Sequence, residues 1–538
     1  MKLGSAVVLL AILALAAILR VWGMDYGLPH PTARPDEERI VGRAMQILAT
    51  GDFHPGDFTY PGLLKYLNSL ALAIYVWFGK IVGRYDRTFD FLFDVAVFRP
   101  GLQYRICRAV SILLGVGTVA VTYVLGRDAY RSRATGLVAA ATVATCLIHV
   151  RDSRFATVDV PMTFFITMSL WFAVRVSRWW RLRDFVLAGG FAGLATATKY
   201  NAGLVILGVT VATLSAFARD TEERPAALTL SMRLVLAGVV MGVVFALSTP
   251  FTLLQYQAVL AELAEIQRLL YSGTGERAIW IHLRETFPLG FGWPFFLAAA
   301  TGVVRSLWLR RRADLVLLAF FIPSFAAAAG VRWVFPRYVI PYIPILAIFA
   351  AELLVVALGR SKTLPAFAFG LVLAGPGLCS SVGFDRLAAQ KDTRVLASEW
   401  VAENVPPRSE VLLCRGYGAP FLNTDRRRPP PFAPKEIDCS PAAVTSERAR
   451  YVITHEHPQV SAYSRISDEM RRFLEQSAEA RVVLDPFVEG HTGEPYFYGG
   501  DAFFLPISDF SSLSRGGRIV TIWERDVTEG PEGAGGEF

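Results

Sequence analysis

Eleven apolar segments, separated by short polar stretches, dominate the first 383 residues of the chain. An α-helix rises about 1.5 Å per residue, so roughly 20 apolar residues cross a hydrocarbon core about 30 Å thick. The pattern therefore predicts a polytopic α-helical membrane protein with about eleven transmembrane helices. The predicted spans are 3–22, 106–126, 134–149, 156–174, 185–198, 201–217, 234–251, 287–308, 315–330, 338–358 and 364–383.

One further segment, 62–83, is long enough to span but carries Lys65, Asn68 and Ser69. Counting it as a crossing would invert every later loop, so we interpret it as an interfacial or re-entrant helix. The alternative is that it does cross and pairs with a second, weakly marked span within 88–105. The first interpretation gives a first outer loop, 23–105, that contains juxtamembrane helices.

The orientation follows from short loops that are dense in basic residues. The positive-inside rule assigns such loops to the cytoplasm. The amino terminus then lies inside, and everything after 383 lies on the extracytoplasmic side of the plasma membrane, which is the periplasmic side in a Gram-negative cell. The loops concerned are 127–133, 175–183, 305–312 and 360–362.

Composition supports the membrane class, since 53% of the residues are hydrophobic and only 19% are charged. The formal net charge of +8 is what loops retained in the cytoplasm produce. No basic stripe interleaved with aromatic residues occurs outside the apolar segments, so we do not expect nucleic-acid binding. The first segment continues to Arg20 without a small-x-small cleavage site, so we expect it to stay as a signal anchor.

The pattern of apolar and polar residues changes after residue 383, where short β-type runs alternate with amphipathic helical patterns near 391–403 and 466–477. This alternation predicts a C-terminal extracytoplasmic α/β domain over 384–529. The Gly-rich end, 530–538, is expected to be disordered. Cys414 and Cys439 lie in this domain and can form a bridge if it is extracytoplasmic. The β-type runs are 410–414, 451–454, 481–484 and 519–523.

An acidic pair, Asp36-Glu37, stands in the first outer loop at the start of an amphipathic helical pattern. One interpretation is that Asp36 caps this helix and that Glu37 complements its dipole. The other is that Asp36 is a general base. Spacing alone leaves both interpretations open.

Several charged residues are placed at the outer ends of predicted spans, where a membrane protein rarely keeps them. Arg154, Lys199 and Arg337 lie in or beside short outer loops, and Asp159 lies about one turn into a span. Snorkelling explains cations at span ends. The positive-inside bias disfavours cations in outer loops, however, so they indicate an anionic partner such as a lipid phosphate. A carboxylate at membrane depth indicates function by default.

These residues stand in motifs whose order resembles the GT-C glycosyltransferases, in the branch that contains the protein O-mannosyltransferases and the lipid A aminoarabinose transferases. No single motif is specific, but their order among the apolar segments covers nearly all of 1–383, the transmembrane catalytic domain that the resemblance implies. The motifs are Asp36-Glu37, Tyr60-Pro-Gly-Leu-Leu-Lys65-Tyr66, Ser153-Arg154 through Asp159-Val-Pro161, Gly193-Leu-Ala-x-x-Thr-Lys199-Tyr200 and Arg337-Tyr-x-x-Pro341.

The resemblance implies an inverting transfer of a monosaccharide from a polyprenyl-phosphate carrier to an acceptor hydroxyl outside the cytoplasm. Asp36 would be the general base and Glu37 would orient hydroxyl groups. Arg154, Lys199 and Arg337 would bind the donor phosphate, and Asp159 would orient Arg154. Tyr60 and Lys65 would support the site. The scheme needs no metal or other cofactor.

The sequence departs from the branch in ways that leave the sugar and the acceptor open. Gly62 stands where many relatives have a second proline, and Tyr60 stands where the aminoarabinose transferases have a lysine. The acceptor is therefore a lipid, a glycan or a protein. Two rival classes remain, a transporter or flippase of lipid-linked sugars and a non-catalytic scaffold of the same fold. A transporter would show inverted repeats and discontinuous helices near the midplane.

Overall fold

The computed structural model describes residues 3–31, 33–217, 227–272, 276–359, 363–422, 432–460, 464–498 and 504–526. The predicted tail at 530–538 and the basic loop at 360–362 lie outside the described residues. The chain forms two compact units. The first comprises 1–24, 36–88 and 103–386, and the second comprises 25–35, 89–102 and 387–538.

Helices account for nearly all of the chain up to residue 388. Two 3₁₀ segments, Tyr200–Val205 and Pro336–Tyr342, and a π turn, His282–Thr286, connect some of them. The helices are α1 (Leu3–Val21), α2 (Pro35–Thr50), α3 (Leu63–Ile81), α4 (Thr88–Val97), α5 (Leu102–Tyr130), α6 (Arg133–Thr145), α7 (Leu147–Ser153), α8 (Asp159–Trp179), α9 (Leu182–Thr198), α10 (Ile206–Phe217), α11 (Ala227–Ser248), α12 (Pro250–Leu254), α13 (Tyr256–Ser272), α14 (Ala278–Ile281), α15 (Phe287–Phe291), α16 (Trp293–Leu309), α17 (Arg312–Gly330), α18 (Ile343–Leu358) and α19 (Thr363–Ala388).

Many of these helices suit a membrane. By length and composition, seven helical segments among the described residues can cross one, or nine if each of two bent pairs counts as one span. The prediction of a polytopic α-helical membrane protein is confirmed, while the number of spans stays a prediction. The α3 segment forms one helix of 19 residues that buries Lys65 and Asn68 and exposes Trp77 and Phe78. Its placement in the interface also stays a prediction.

The predicted span 134–149 is broken, which corrects the expectation of a continuous helix. The backbone is extended at Cys146, and α6 and α7 meet there at 60°. The carbonyl groups at the end of α6 lose their helical partners, and Arg20 replaces them. Its guanidinium donates to the carbonyls of Val143 and Ala144 at 3.0 and 3.1 Å. Carbonyl groups in a protein interior that lack a helical partner need another donor. Arg20 supplies this donor and so offsets the hydrogen bonds that the break removes.

The predicted span 287–308 is broken as well, because its first residues belong to α15. That helix and α16 are bent by 119° at Gly292, which has φ of 85°. Glycine adopts this conformation without the steric cost that a side chain would bring. Pro294 in the first turn of α16 has no N–H to continue the preceding helix.

Close helix packing in the first unit depends on small residues. Gly189 and Gly193 lie one turn apart on α9 and face α11. A Cβ atom at Gly193 would lie 2.6 Å from the carbonyl oxygen of Met241, and one at Gly189 would collide with the carbonyl of Ala237. The two backbones approach this closely because the pair follows the small-xxx-small pattern of membrane helices.

The second unit contains a five-stranded sheet in the order β2-β1-β3-β5-β4. Strands β1, β2 and β3 are parallel, and β5 runs antiparallel to β3 and β4. The predicted C-terminal α/β architecture is confirmed, including the helices near 391–403 and 466–477. The elements are α20 (Thr393–Asn404), β1 (Ser409–Cys414), β2 (Phe432–Ile437), α21 (Pro441–Thr445), β3 (Tyr451–Glu456), α22 (Asp468–Ser477), β4 (Ala478–Leu484) and β5 (Ile519–Arg525).

The sequence analysis did not predict β2, which contains Pro434. Pro434 is tolerated because β2 is an edge strand that pairs only with β1, opposite Val411. A disulfide joins Cys414 at the end of β1 to Cys439 just beyond β2. The bridge that the sequence allowed is therefore present in the structure.

Candidate functional site

Four of the predicted site residues form a continuous chain of alternating charges. Lys199 Nζ lies 2.7 Å from Asp159 Oδ1. The other oxygen of Asp159 lies 3.6 Å from Arg337 Nε, and Arg337 Nη2 lies 2.9 Å from Asp36 Oδ2. Two cations and two carboxylates from four separate segments of the first unit thus meet in one place.

Each member is positioned by the end of a local element. Asp159 is the first residue of α8, and Lys199 follows the last residue of α9 in an extended conformation. Arg337 lies in the 3₁₀ segment that precedes α18, and Asp36 lies in the first turn of α2. Asp159 is only 1% exposed, and its two cationic neighbours offset the cost of burying its charge.

A cavity of about 300 Å³ lies beside these four charged residues and is lined by two of them, Asp159 and Lys199. Tyr60, Asp159, Lys199 and Tyr338 form its polar end. Lys199 Nζ lies 5.1 Å from the centre of the Tyr338 ring, close enough for a cation–π interaction. The remaining wall is mainly apolar and comes from the 3₁₀ segment Tyr200–Val205, α13 and α17, with Leu204, Leu263, Ile266, Leu270, Ala327 and Ala328 among its residues.

The loop that carries Tyr60 to the cavity is held by hydrogen bonds to α13. Glu262 of α13 accepts a hydrogen bond from the backbone N–H of Phe58 at 2.7 Å and another from the Thr59 hydroxyl. Desolvation, and next the negative charge of Asp36, raise the pKa of Tyr60 well above its ordinary value. The phenol therefore stays protonated and can donate a hydrogen bond into the cavity.

Lys65 supports this loop from beneath, since its ammonium group donates to the carbonyl of Pro55 at 2.9 Å and to Asp57 Oδ2 at 3.0 Å. The side chain is fully buried. Lys65 therefore fixes the shape of the loop that carries Tyr60, and its supporting role at the site stays a prediction.

Glu37 points away from the cavity, although it is the neighbour of Asp36. It is 1% exposed and accepts two hydrogen bonds from Arg108, at 2.6 and 2.8 Å. The backbone N–H of Ala156 donates to it at 2.9 Å. This corrects the prediction that Glu37 orients substrate hydroxyls, because its oxygens already bind α5 and the loop before α8.

Arg154 is also absent from the charged chain. Its fully buried guanidinium pairs with Asp385 of α19 and donates to the carbonyl of Trp22 at 2.7 Å. It also lies over the Phe384 ring, 4.9 Å from the ring centre. This corrects the prediction that Arg154 binds the donor phosphate, and Asp159 orients Lys199 and Arg337 instead of Arg154.

The sequence analysis missed the partners Arg108 and Asp385. Both lie close to the ends of predicted spans, so the cost of a charge at membrane depth was the available signal for them. No group of three or more His, Cys, Asp or Glu side chains that could hold a metal ion occurs among the described residues.

The sequence of one region matches a known family. Residues 98–250 match the family model described as dolichyl-phosphate-mannose-protein mannosyltransferase. An uncharacterised protein of Aquifex aeolicus is 36% identical over 101 residues, which are 18% of this chain and 20% of that protein. The chain thus matches only about a fifth of the length of this relative.

Two solved structures are similar over most of the chain. ArnT from Cupriavidus metallidurans, bound to undecaprenyl phosphate, has a TM-score of 0.53 at 15% identity and covers 97% of this chain and 98% of its own. The oligosaccharyltransferase of Archaeoglobus fulgidus has a TM-score of 0.52 at 12% identity, over 85% of this chain and 70% of its own. At such identities the likeness concerns the fold. Together with the family match, it confirms the resemblance from the motifs: the chain is a multi-pass membrane protein with the fold of the GT-C glycosyltransferases.

Proposed function

We propose that this protein is an integral membrane inverting glycosyltransferase. It transfers a monosaccharide from a polyprenyl-phosphate carrier to an acceptor hydroxyl on the extracytoplasmic side. The observation that carries the proposal is the cavity whose charged end, Asp159 and Lys199, meets a largely apolar wall from α13 and α17. A phosphate attached to a polyprenyl chain has this same division between an anionic head and an apolar tail.

The cations of the charged chain suit the leaving group. Lys199 stands at the cavity with a side chain that is 15% exposed, and Arg337 lies next to it across Asp159. Positively charged donors at a phosphate stabilise the negative charge that develops as the glycosidic bond breaks. The carboxylate of Asp159 holds both cations in place, so we assign it a positioning role.

Asp36 is the base in this proposal. Its side chain is 29% exposed, whereas its neighbour Glu37 is sealed in the interior. The acceptor oxygen forms a bond to the anomeric carbon while the bond from that carbon to the phosphate oxygen breaks, and the phosphate keeps the electron pair. The hydroxyl proton passes to Asp36. Attack from the face opposite the phosphate inverts the anomeric centre.

The pairing of Arg337 with both Asp36 and Asp159 couples donor binding to the base. A donor phosphate that attracts Arg337 weakens its contact with Asp36, because one guanidinium then serves several anions. Asp36 would then accept a proton more readily when the donor is bound.

The extracytoplasmic placement has two supports. The arginine-rich loops indicate that the opposite ends of the helices face the cytoplasm. The Cys414–Cys439 disulfide in the second unit is the form that cysteines take in an oxidising compartment. In the proposed orientation, the C-terminal domain, 384–529, lies on the same side as the acceptor.

A transporter of lipid-linked sugars is the second candidate, because α6–α7 and α15–α16 are discontinuous helices. In transporters such breaks form the substrate site. Here the carbonyl of Thr145 at the first break accepts a hydrogen bond from Ser381 at 2.9 Å. Neither Cys146 nor Gly292 lines the cavity beside Lys199, so the breaks do not support transport through it.

The test is transfer from a panel of radiolabelled polyprenyl-phosphate monosaccharides to native membranes, with the purified protein in nanodiscs. We expect label in a glycoconjugate with one of the donors. Asp36→Asn should lower turnover by roughly 10²–10⁴-fold with donor affinity nearly unchanged. Asp52→Asn is the matched control, since this exposed carboxylate of the same loop contacts Arg43 and the backbone N–H of His54 and does not line the cavity. Normal turnover in Asp36→Asn would reject Asp36 as the base, and donor movement across sealed vesicles without transfer would favour the transporter.

A further inference from the structure

A second polar cavity lies at the other end of the spanning helices. It has a volume of about 360 Å³ and lies where α5, α8 and α17 end or begin. The helix α8 extends over 21 residues from Asp159 to Trp179, a length of about 30 Å. Asp159 lines the first cavity, and Arg178 lines the second. The two cavities are thus separated by about the thickness of a hydrocarbon core.

Four arginines line this second cavity, which we call the arginine cavity: Arg131, Arg178, Arg311 and Arg312. They come from three helix ends that are far apart in the sequence. The positive-inside bias explains why these loops are basic. It does not require that arginines from three loops converge on one cavity, because a solvated loop satisfies the bias in any direction.

The wall of the arginine cavity is built by a buried network. Arg311 binds Asp314 and Glu352, each at 2.8 Å, and the Tyr130 hydroxyl donates to Asp314 at 2.6 Å. The two carboxylates are buried and neutralise the charge of Arg311, so this arginine is not left to pair with a ligand. This network also stacks the Arg311 guanidinium over the Tyr130 ring, 4.4 Å from its centre. The wall is therefore preorganised.

Two other arginines supply charge for a ligand. Arg131 and Arg312 are exposed, and no carboxylate of the described residues forms a salt bridge with either side chain. Arg178 donates to the carbonyl of Ala129 at 2.9 Å, which holds it at the cavity. Guanidinium groups bind phosphate in a planar, bidentate manner, and two of them match the charge of a phosphate monoester.

We propose that the arginine cavity binds a phosphate group on the side of the membrane opposite to the cavity that Asp159 and Lys199 line. The ligand is either the head group of an anionic lipid in that leaflet or a soluble phosphate compound. Arg131 and Arg312 make the charged contacts, and Arg178 with the Arg311 network forms the wall. This binding site does not depend on the proposed glycosyl transfer.

The experiment uses the full chain in phosphatidylcholine nanodiscs and two probes. Phosphatidic acid is added to the nanodisc, and its retention is counted by native mass spectrometry. Inorganic phosphate is titrated in solution, and its dissociation constant is measured by thermophoresis. Retention of phosphatidic acid identifies a lipid head group, whereas binding of inorganic phosphate alone identifies a soluble ligand. Failure of the native chain to bind either probe would overturn the proposal.

The variant Arg131→Gln/Arg312→Gln tests the residues. We expect its affinity for the bound probe to fall at least about tenfold, because two charge-assisted contacts are lost. The matched control is Arg133→Gln/Arg310→Gln, which removes the same charge from the same two loops at exposed arginines outside the cavity. An equal loss in both variants would show a general surface-charge effect and would contradict the proposal. If the double variant aggregates, Arg312→Gln against Arg310→Gln gives the same comparison.

Discussion

Substitutions at the adjacent residues Asp36 and Glu37 should have different effects. A change at Asp36 should mainly lower turnover, whereas a change at Glu37 should mainly lower the free energy of unfolding. Glu37→Gln preserves the shape of the side chain but removes the charge that two Arg108 contacts, at 2.6 and 2.8 Å, depend on. Arg108 is fully buried, so the change leaves an uncompensated guanidinium in the interior. Breaking a buried pair in this way costs about 3–5 kcal/mol. Asp36→Asn, at a partly exposed position, should cost within about 1 kcal/mol.

The measurement is thermal unfolding in detergent, read by size-exclusion fluorescence, together with the transfer rate per folded molecule. We expect Glu37→Gln to lower the melting temperature by at least ~5 °C and to keep near-normal turnover in the molecules that remain folded. The double variant Glu37→Leu/Arg108→Met should recover much of the loss, since an apolar pair can replace a buried ion pair.

A different outcome would refute this reasoning. If Glu37→Gln melted like the native protein but lost transfer, Glu37 would act on substrate and its contact with Arg108 would have little energetic weight. Loss of folding in Asp36→Asn would show that Asp36 mainly stabilises α2. The two positions are adjacent, so expression level and membrane insertion provide an internal comparison.

Three further predictions concern Arg154, Lys199 and three buried histidines. Arg154→Met should destabilise the protein by about 3–5 kcal/mol with an unchanged donor KM in the folded fraction; a raised KM at normal stability would restore Arg154 to the phosphate site. Lys199→Gln should raise the donor KM roughly 10–100-fold, because one charge-assisted contact is lost. An unchanged KM would show that Lys199 does not bind the donor phosphate. Burial lowers the pKa values of His30, His455 and His457 to about 3, so the unfolded chain binds more protons between pH 6.5 and 3 and stability falls as the pH falls. At pH 5 each histidine should lower the free energy of unfolding by about 2 kcal/mol. The measurement is amide hydrogen exchange in β1 and β3 at neutral pH and at pH 5, corrected for the intrinsic pH dependence of exchange. A corrected exchange rate that did not rise at pH 5 would contradict the prediction.

The architecture was largely predictable because apolar length is a local property. Each of the eleven apolar segments coincides with helical structure, and the β-type runs after residue 383 lie in strands of one sheet. The breaks at Cys146 and Gly292 were missed for different reasons. Gly292 stands among apolar residues with Pro294 after it, a signal that was present, whereas the break at Cys146 depends on Arg20, more than a hundred residues earlier.

The direction of a side chain was harder to predict than the position of its motif. Asp36, Lys199 and Arg337 meet as the motifs implied, because each stands at the end of an element on one side of the helices. The orientations of Glu37 and Arg154 depend on partners 71 and 231 residues away. A motif gives the order of charged residues along the chain, and it does not show which of two neighbours faces the cavity.

The contact of Arg20 with α6 has a consequence for synthesis. Its acceptors on Val143 and Ala144 lie 123 and 124 residues later in the chain. At about 5–20 residues per second, the ribosome needs roughly 6–25 s to produce them. During that interval α1 carries a guanidinium that can donate to the carbonyl of Ala16 in its own helix but whose partners on α6 do not yet exist, so water, lipid phosphates or the insertion machinery must solvate the rest of it. The first helix of this protein therefore reaches its final position only after the sixth has been made.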